Sequence, residues 1–161
     1  MFARHHGELY RYAARFTGEP DLAEDVVQES FVRLVERPAT ELAQVRAWLF
    51  TVTTRLAIDE GRARRRHAAL LARAPADAAL PYSGPDPATA AERADLADRV
   101  RAALATLNEK DRAVLLMREE GFRHHEIADA VGTTTKSVGT MIARALDRLA
   151  LVLELDAEAV R

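Results

Sequence analysis

The chain has 161 residues, 48% of them hydrophobic and 30% charged, with nine aromatic residues and no cysteine. The missing cysteine excludes a disulfide scaffold and any thiolate-held zinc or iron–sulfur site. The formal net charge of −2 excludes a surface coated in basic residues for nucleic acid. Thirty-two alanines with abundant Leu, Arg and Glu, against few Tyr, Trp or Ile, predict an all-α fold.

In chain order, Leu9, Tyr12, Ala13 and Phe16 share one face of a first helix over about 4–16. That helix reads short, as though it began upstream of Met1. Thr17-Gly18-Glu19-Pro20 is expected to stop it, with Gly18 in a left-handed cap. Asp21 then reads as the N-cap of a second helix, with Glu24 completing a capping box. Leu22, Ala23, Val26, Val27, Phe31 and Leu34 form its apolar stripe, and Asp25, Gln28, Glu29 and Arg33 face away from it. Arg37-Pro38-Ala39-Thr40 breaks the helix. A third is expected over about 44–66, with Val45, Trp48, Leu49, Val52 and Leu56 as core stripe. Trp48 can serve as a base-stacking platform or as core, and its place on the stripe favours core. Phe50 lies off the stripe, where packing against a neighbouring helix is the simpler expectation.

Four of the six prolines fall between Ala74 and Ala88. Proline cannot continue a helix and biases the residue before it away from one, so this stretch reads as a flexible linker. It is also acidic: residues 74–98 carry one basic and five acidic side chains, whereas residues 1–74 carry twelve and ten. An acidic stretch between two mildly basic ones suggests two small helical domains, 1–70 and 91–155, joined by a linker over 71–90, with a tail over 156–161.

Beyond the linker, helices are expected over about 91–106, 109–121, 124–131 and 135–153, with Asn108 as the N-cap of the second. The last two form the informative pair. Ile127, Ala128 and Val131 turn inward, Gly132-Thr133-Thr134 makes a tight turn, and Thr134 caps the next helix. Val138 and Ile142 bury that helix's inner face and leave Thr135, Lys136, Gly139, Thr140 and Ala143 outside. Such a pair can be a plain helical hairpin, or it can offer the start of its second helix to a DNA major groove.

Other pairings look chemical without being so. His5-His6 and His124-His125 point about 100° apart on a helix and cannot chelate from one face. Glu119-Glu120 and Asp59-Glu60 share that geometry, and no Gly-rich phosphate loop or nucleophile elbow occurs. No enzyme, metal or cofactor is expected. No run reaches the roughly 20 apolar residues of a membrane span, and Met1-Phe2-Ala3-Arg4-His5 does not open a secretory signal. A cytoplasmic protein without membrane insertion is expected.

Asp21-Leu22-Ala23-Glu24-Asp25-Val26-Val27-Gln28-Glu29-Ser30-Phe31 resembles the polymerase-binding segment of bacterial RNA polymerase sigma factors. Arg46-Ala47-Trp48-Leu49-Phe50, running on to Leu56-Ala57-Ile58-Asp59 and the cluster Arg62-Ala63-Arg64-Arg65-Arg66, resembles their promoter-melting and −10-reading helix. Ala103 to Leu107, Arg112 to Leu116 and Glu126 to Leu146 resemble their −35-reading domain. The two domains in this order resemble those of the extracytoplasmic-function (ECF) group.

The resemblance implies roles. Asp25, Gln28, Glu29 and Arg33 would bind core RNA polymerase. The loop over 37–45 would help capture the −10 element, with Arg46, Arg55, Arg62, Arg65 and Arg66 on its phosphates, since a melted strand needs neutralised phosphates and held bases. Thr135, Lys136, Ser137, Thr140 and Arg144 would contact −35 DNA. Ser and Thr can meet a base edge or a phosphate, so this set discriminates little by itself. The resemblance also implies an anti-sigma factor as partner and a linker path through the polymerase. Thr51, Thr54, Gly139 and Met141 stand where many relatives carry basic residues. A free-standing helix-turn-helix repressor would explain the second half of the chain but leave residues 20–66 without a purpose.

Overall fold

The computed structural model describes residues 2–37, 44–71 and 87–159. They form seven helices and, among the described residues, no strand: α1 (Phe2–Thr17), α2 (Pro20–Val35), α3 (Val45–Leu71), α4 (Pro87–Ala105), α5 (Glu109–Glu119), α6 (His124–Val131) and α7 (Thr135–Ala159). The all-α expectation is met. The core of the expected linker, over 72–86, and most of the loop over 37–45 lie outside the described residues.

The expected stops act through their backbones. Gly18, at φ 70°, takes the left-handed turn between α1 and α2. The start of α2 differs from expectation. Glu19 is its N-cap residue, Pro20 occupies the first helical turn, and Asp21 lies inside the helix rather than capping it. Proline suits that position because its missing N–H would have had no helical partner there. Asn108 caps α5 as expected, accepting from the Asp111 N–H at 2.9 Å.

α1, α2 and α3 bury Leu9, Tyr12, Phe16, Val26, Val27, Leu49 and Phe50, and α5, α6 and α7 bury Val114, Met117, Ile127, Val131, Val138 and Ala145. α3 also packs on α5 and α6, and α1 on α5, so the two bundles share one continuous core. This explains the main departure in α3. Its buried set is Leu49, Phe50, Thr53, Thr54, Ala57 and Ile58, while Val45, Trp48, Val52 and Leu56 are only half-buried. A helix covered from two sides buries two adjacent stripes, and single-stripe periodicity finds only part of them.

The polar members of that stripe are satisfied. Thr53 Oγ1 lies 2.8 Å from Ser30 Oγ, which donates to the Val26 carbonyl at 2.7 Å. Thr54 Oγ1 donates to the Phe50 carbonyl at 2.7 Å and lies 2.7 Å from the Tyr12 hydroxyl. Three helices outrun expectation: α3 reaches Leu71 and α4 begins at Pro87, so both ends of the expected 71–90 linker are helical, and α7 reaches Ala159, within the expected tail.

Arg112 on α5 ties the bundles together. Its guanidinium donates to the carbonyls of Phe16, Leu104 and Leu107, each at 2.9 Å, and lies 5.6 Å from the Phe16 ring centre. Burial, reinforced by the neighbouring Arg65, pushes its pKa below the usual arginine value.

Candidate functional site

Three surfaces carry the residues singled out by sequence. The first is the outer face of α2. Asp25, Gln28, Glu29 and Arg33 are all exposed there, together with Val32 and Val35. Arg33 pairs with Glu29 at 2.8 Å, and Gln28 donates to Glu24 at 2.9 Å. Exposed pairs of this kind at a spacing of four residues order side chains but contribute only a few tenths of a kcal/mol. The face is polar with an apolar edge at Val32 and Val35, a combination that sequence periodicity alone did not separate.

The second surface runs along α3. Arg46 is half-buried. It donates to Glu8 from Nε at 2.8 Å and to the Glu120 carbonyl at 3.0 Å, with its guanidinium 5.0 Å from the Phe50 ring centre and 4.4 Å from that of Phe122. Arg55 donates to the Asp129 carbonyl at 2.5 Å. Arg62 pairs with Glu109 at 2.8 Å, and Arg65 holds the other oxygen of the same carboxylate. Arg66 is exposed. Arg64 turns to the first bundle, 2.7 Å from Glu19 and 3.8 Å from Asp25. The arginines therefore share one helix, and four of them meet acceptors presented by α5, α6 or the turns beside them.

Trp48 is half-buried beneath the Arg37 guanidinium, 4.8 Å from its ring centre. Phe50 is fully buried, with its ring 5.0 Å from Tyr12 and 4.8 Å from Phe122. Thr54 is core and not surface.

The third surface is the start of α7. Gly132 takes φ 69°, ψ 47°, and its N–H donates back to the Ala128 carbonyl. Thr134 Oγ1 accepts from the Ser137 N–H at 3.2 Å, which is the expected cap. Glu126 accepts from the Arg123 N–H at 2.8 Å and closes the other end of the short α6. Behind this turn Ile127, Ala128, Val131 and Val138 are buried. Thr135, Lys136, Gly139, Thr140 and Ala143 are exposed, and Ser137 is half-buried.

Arg144, one turn further on, is exposed but held at 2.8 Å by Asp111, a buried carboxylate also bonded by Asn108 at 2.8 Å. The Asp111 hydrogen bond and charge raise the Arg144 pKa above its ordinary value. Sequence reading did not find Asp111, Glu109 or Glu120 as partners of these arginines. Their separations of 33, 47 and 74 residues leave no local pattern to read.

His5 lies 3.6 Å from Glu8, and His6 lies 3.5 Å from Glu24. Among the described residues no group of three His, Asp or Glu side chains converges, and no helix is long and apolar enough to cross a membrane.

Two family descriptions match the chain, Sigma-70 region 2 over residues 1–67 and Sigma-70 region 4 over residues 97–149. SigL of Mycobacterium tuberculosis, an ECF RNA polymerase sigma factor, is 33% identical over 159 residues, covering 96% of this chain and 87% of SigL. The probable ECF sigma factor SigI of the same organism is 33% identical over 88% of this chain, which spans 50% of SigI. Among solved structures, the sigma factor RpoE in complex with the anti-sigma factor NepR, from Bartonella quintana, superimposes with a TM-score of 0.74 at 21% identity, covering 96% of this chain and 94% of that one. That likeness supports the fold. Region 2 ends within α3 and region 4 spans most of α4 through α7, so the polar α2 face and the α3 arginines fall in one and the helix-turn-helix in the other. With both regions present in order and a full-length relative at this identity, the chain belongs to the ECF family of RNA polymerase sigma factors.

Proposed function

We propose that this chain directs transcription initiation in the cytoplasm by joining bacterial core RNA polymerase to promoters, without catalysis of its own. The α2 face of Asp25, Gln28, Glu29 and Arg33 docks on the polymerase. α3 captures the opened −10 element through Arg46, Arg55, Arg62, Arg65 and Arg66, and α6–α7 reads the −35 element through Thr135, Lys136, Ser137, Thr140 and Arg144. Residues 1–70 and 91–155 act as two modules joined by 71–90, with 156–161 as a tail. An anti-sigma factor holds the protein inactive, a reading supported by the complex in which the similar RpoE was solved.

The observation that carries the proposal is one chain holding a solvent-facing polar α2 surface, a row of arginines on α3 and a capped helix-turn-helix with its leading face free. Two weak DNA contacts become selective when polymerase fixes their separation, because the second then forms at high effective concentration. The test mixes the purified chain with core polymerase and fragmented genomic DNA, then sequences transcript 5′ ends. Defined starts preceded by two shared elements support the proposal. Polymerase binding without defined starts would instead make the chain an adaptor, and operator footprints without polymerase would make it a repressor.

A further inference from the structure

Among the described residues Asp111 is the one charged side chain that is buried, at 2% exposure. A carboxylate taken out of water is costly unless its oxygens are met. Here Oδ2 accepts from Asn108 Nδ2 and Oδ1 from Arg144 Nη2, each at 2.8 Å. Asn108 already caps α5 by accepting from the Asp111 N–H at 2.9 Å, so the cap itself needs no carboxylate at this position. What the carboxylate adds is a link from the capped start of α5 to an arginine on α7.

The far side of that link is open. The Arg144 side chain is 60% exposed. A guanidinium carries five N–H donors in one rigid plane, so fixing one nitrogen on Asp111 aims the others. Their direction follows from helix geometry. At about 100° per residue, Lys136, Gly139, Thr140 and Ala143 cluster on the exposed side of α7, and Arg144 lies about 90° round from their centre. A helix seated in a groove roughly 12 Å wide meets base edges with its leading face and the phosphate walls with its flanks.

We propose that Arg144 grips a −35 phosphate rather than a base edge, and that Asp111 is the positioning residue that aims it. The inference rests on the proposed reading of −35 DNA by α6–α7 and divides that set of residues. Arg144 fixes the register of α7 on any sequence, and discrimination falls to Lys136 and the hydroxyls beside it.

The test titrates holoenzyme against two labelled copies of a mapped promoter, one intact and one with its −35 element scrambled, over a range of salt. Arg144→Ala should weaken binding to both copies by a similar factor, roughly tenfold, the scale of one charge-assisted hydrogen bond. It should also reduce the salt slope by about one, as expected for a single lost phosphate contact. Arg144 is exposed, so this arm does not depend on any core substitution being tolerated. Asp111→Asn makes the protein one charge more positive beside the DNA, and electrostatics alone would tighten binding. Loss of aim should instead weaken it roughly threefold in the Arg144 parent and leave it unchanged once Arg144 is alanine, the signature of two coupled residues.

A loss for Arg144→Ala confined to the intact copy would make Arg144 a base reader and overturn the inference. Tighter binding by Asp111→Asn would overturn it too, since Asp111 would then compete with the phosphate. So would an equal loss from Asp111→Asn with and without Arg144, which marks a purely structural carboxylate. If parent holoenzyme binds both copies alike, the proposed −35 reading itself fails, and this inference with it.

Discussion

Tyr12 and Thr54 show how a single buried hydroxyl pair fixes a helix crossing. Burial pushes the Tyr12 pKa up, so the phenol stays protonated and its O–H must find a partner inside; Thr54 supplies it at 2.7 Å. The two substitutions that break this pair should differ. Tyr12→Phe leaves Thr54 bonded to the Phe50 carbonyl and should cost about 1 kcal/mol. Thr54→Val strands the Tyr12 hydroxyl and should cost about 1–3 kcal/mol, read as a larger fall in urea midpoint.

Glu8 makes a second residue-scale case. Burial acts to raise its pKa, but the hydrogen bond and charge of Arg46, helped by His5, outweigh it and hold the carboxyl below its ordinary 4.5. A depressed carboxylate stabilises the fold above its unfolded pKa and loses that contribution as pH falls through the folded value. The groups facing it are His5, Arg46 and, across Arg46, Glu120. Urea midpoints of the parent should therefore fall on the acid side of 4.5, and Glu8→Gln should flatten that limb.

At the scale of helices, glycines with opposite environments give opposite expectations. Gly132 is left-handed, so Gly132→Ala should cost about 1 kcal/mol and disturb the turn that presents Lys136. Gly139 lies in α7, and a Cβ there would meet only His124 Cε1 at an ordinary 3.9 Å. Gly139→Ala should stabilise by up to about 1 kcal/mol, since glycine is that much poorer than alanine inside a helix. Thermal unfolding of both variants checks the pair.

The same scale shows what sequence could and could not reveal. Helix order, the Gly132 turn and the Asn108 and Thr134 caps are local events, and residue spacing found them. The second buried stripe of α3 was hidden because Phe50, Thr53 and Thr54 are covered by different helices, including α5 and α6 from far along the chain. Arg46, Arg55, Arg62 and Arg65 were legible as an arginine row. Their engagement by Glu109, Glu120 and Asp129 was not, because each contact closes a long loop that no local pattern encodes.

For the whole molecule, we propose that α3 opens the strands and α6–α7 hold the duplex upstream, with polymerase setting their distance. These roles should separate by substitution. Lys136→Ala should weaken dependence on the upstream element while leaving strand opening at saturating holoenzyme intact. The most direct measurement is permanganate reactivity of thymines in the −10 region, made with holoenzyme on a mapped promoter. The parent chain should render them reactive, whereas Arg62→Ala with Arg65→Ala should lose that reactivity yet keep upstream protection. Undiminished reactivity in the double variant, with the protein folded and bound to polymerase, would contradict the assignment of α3.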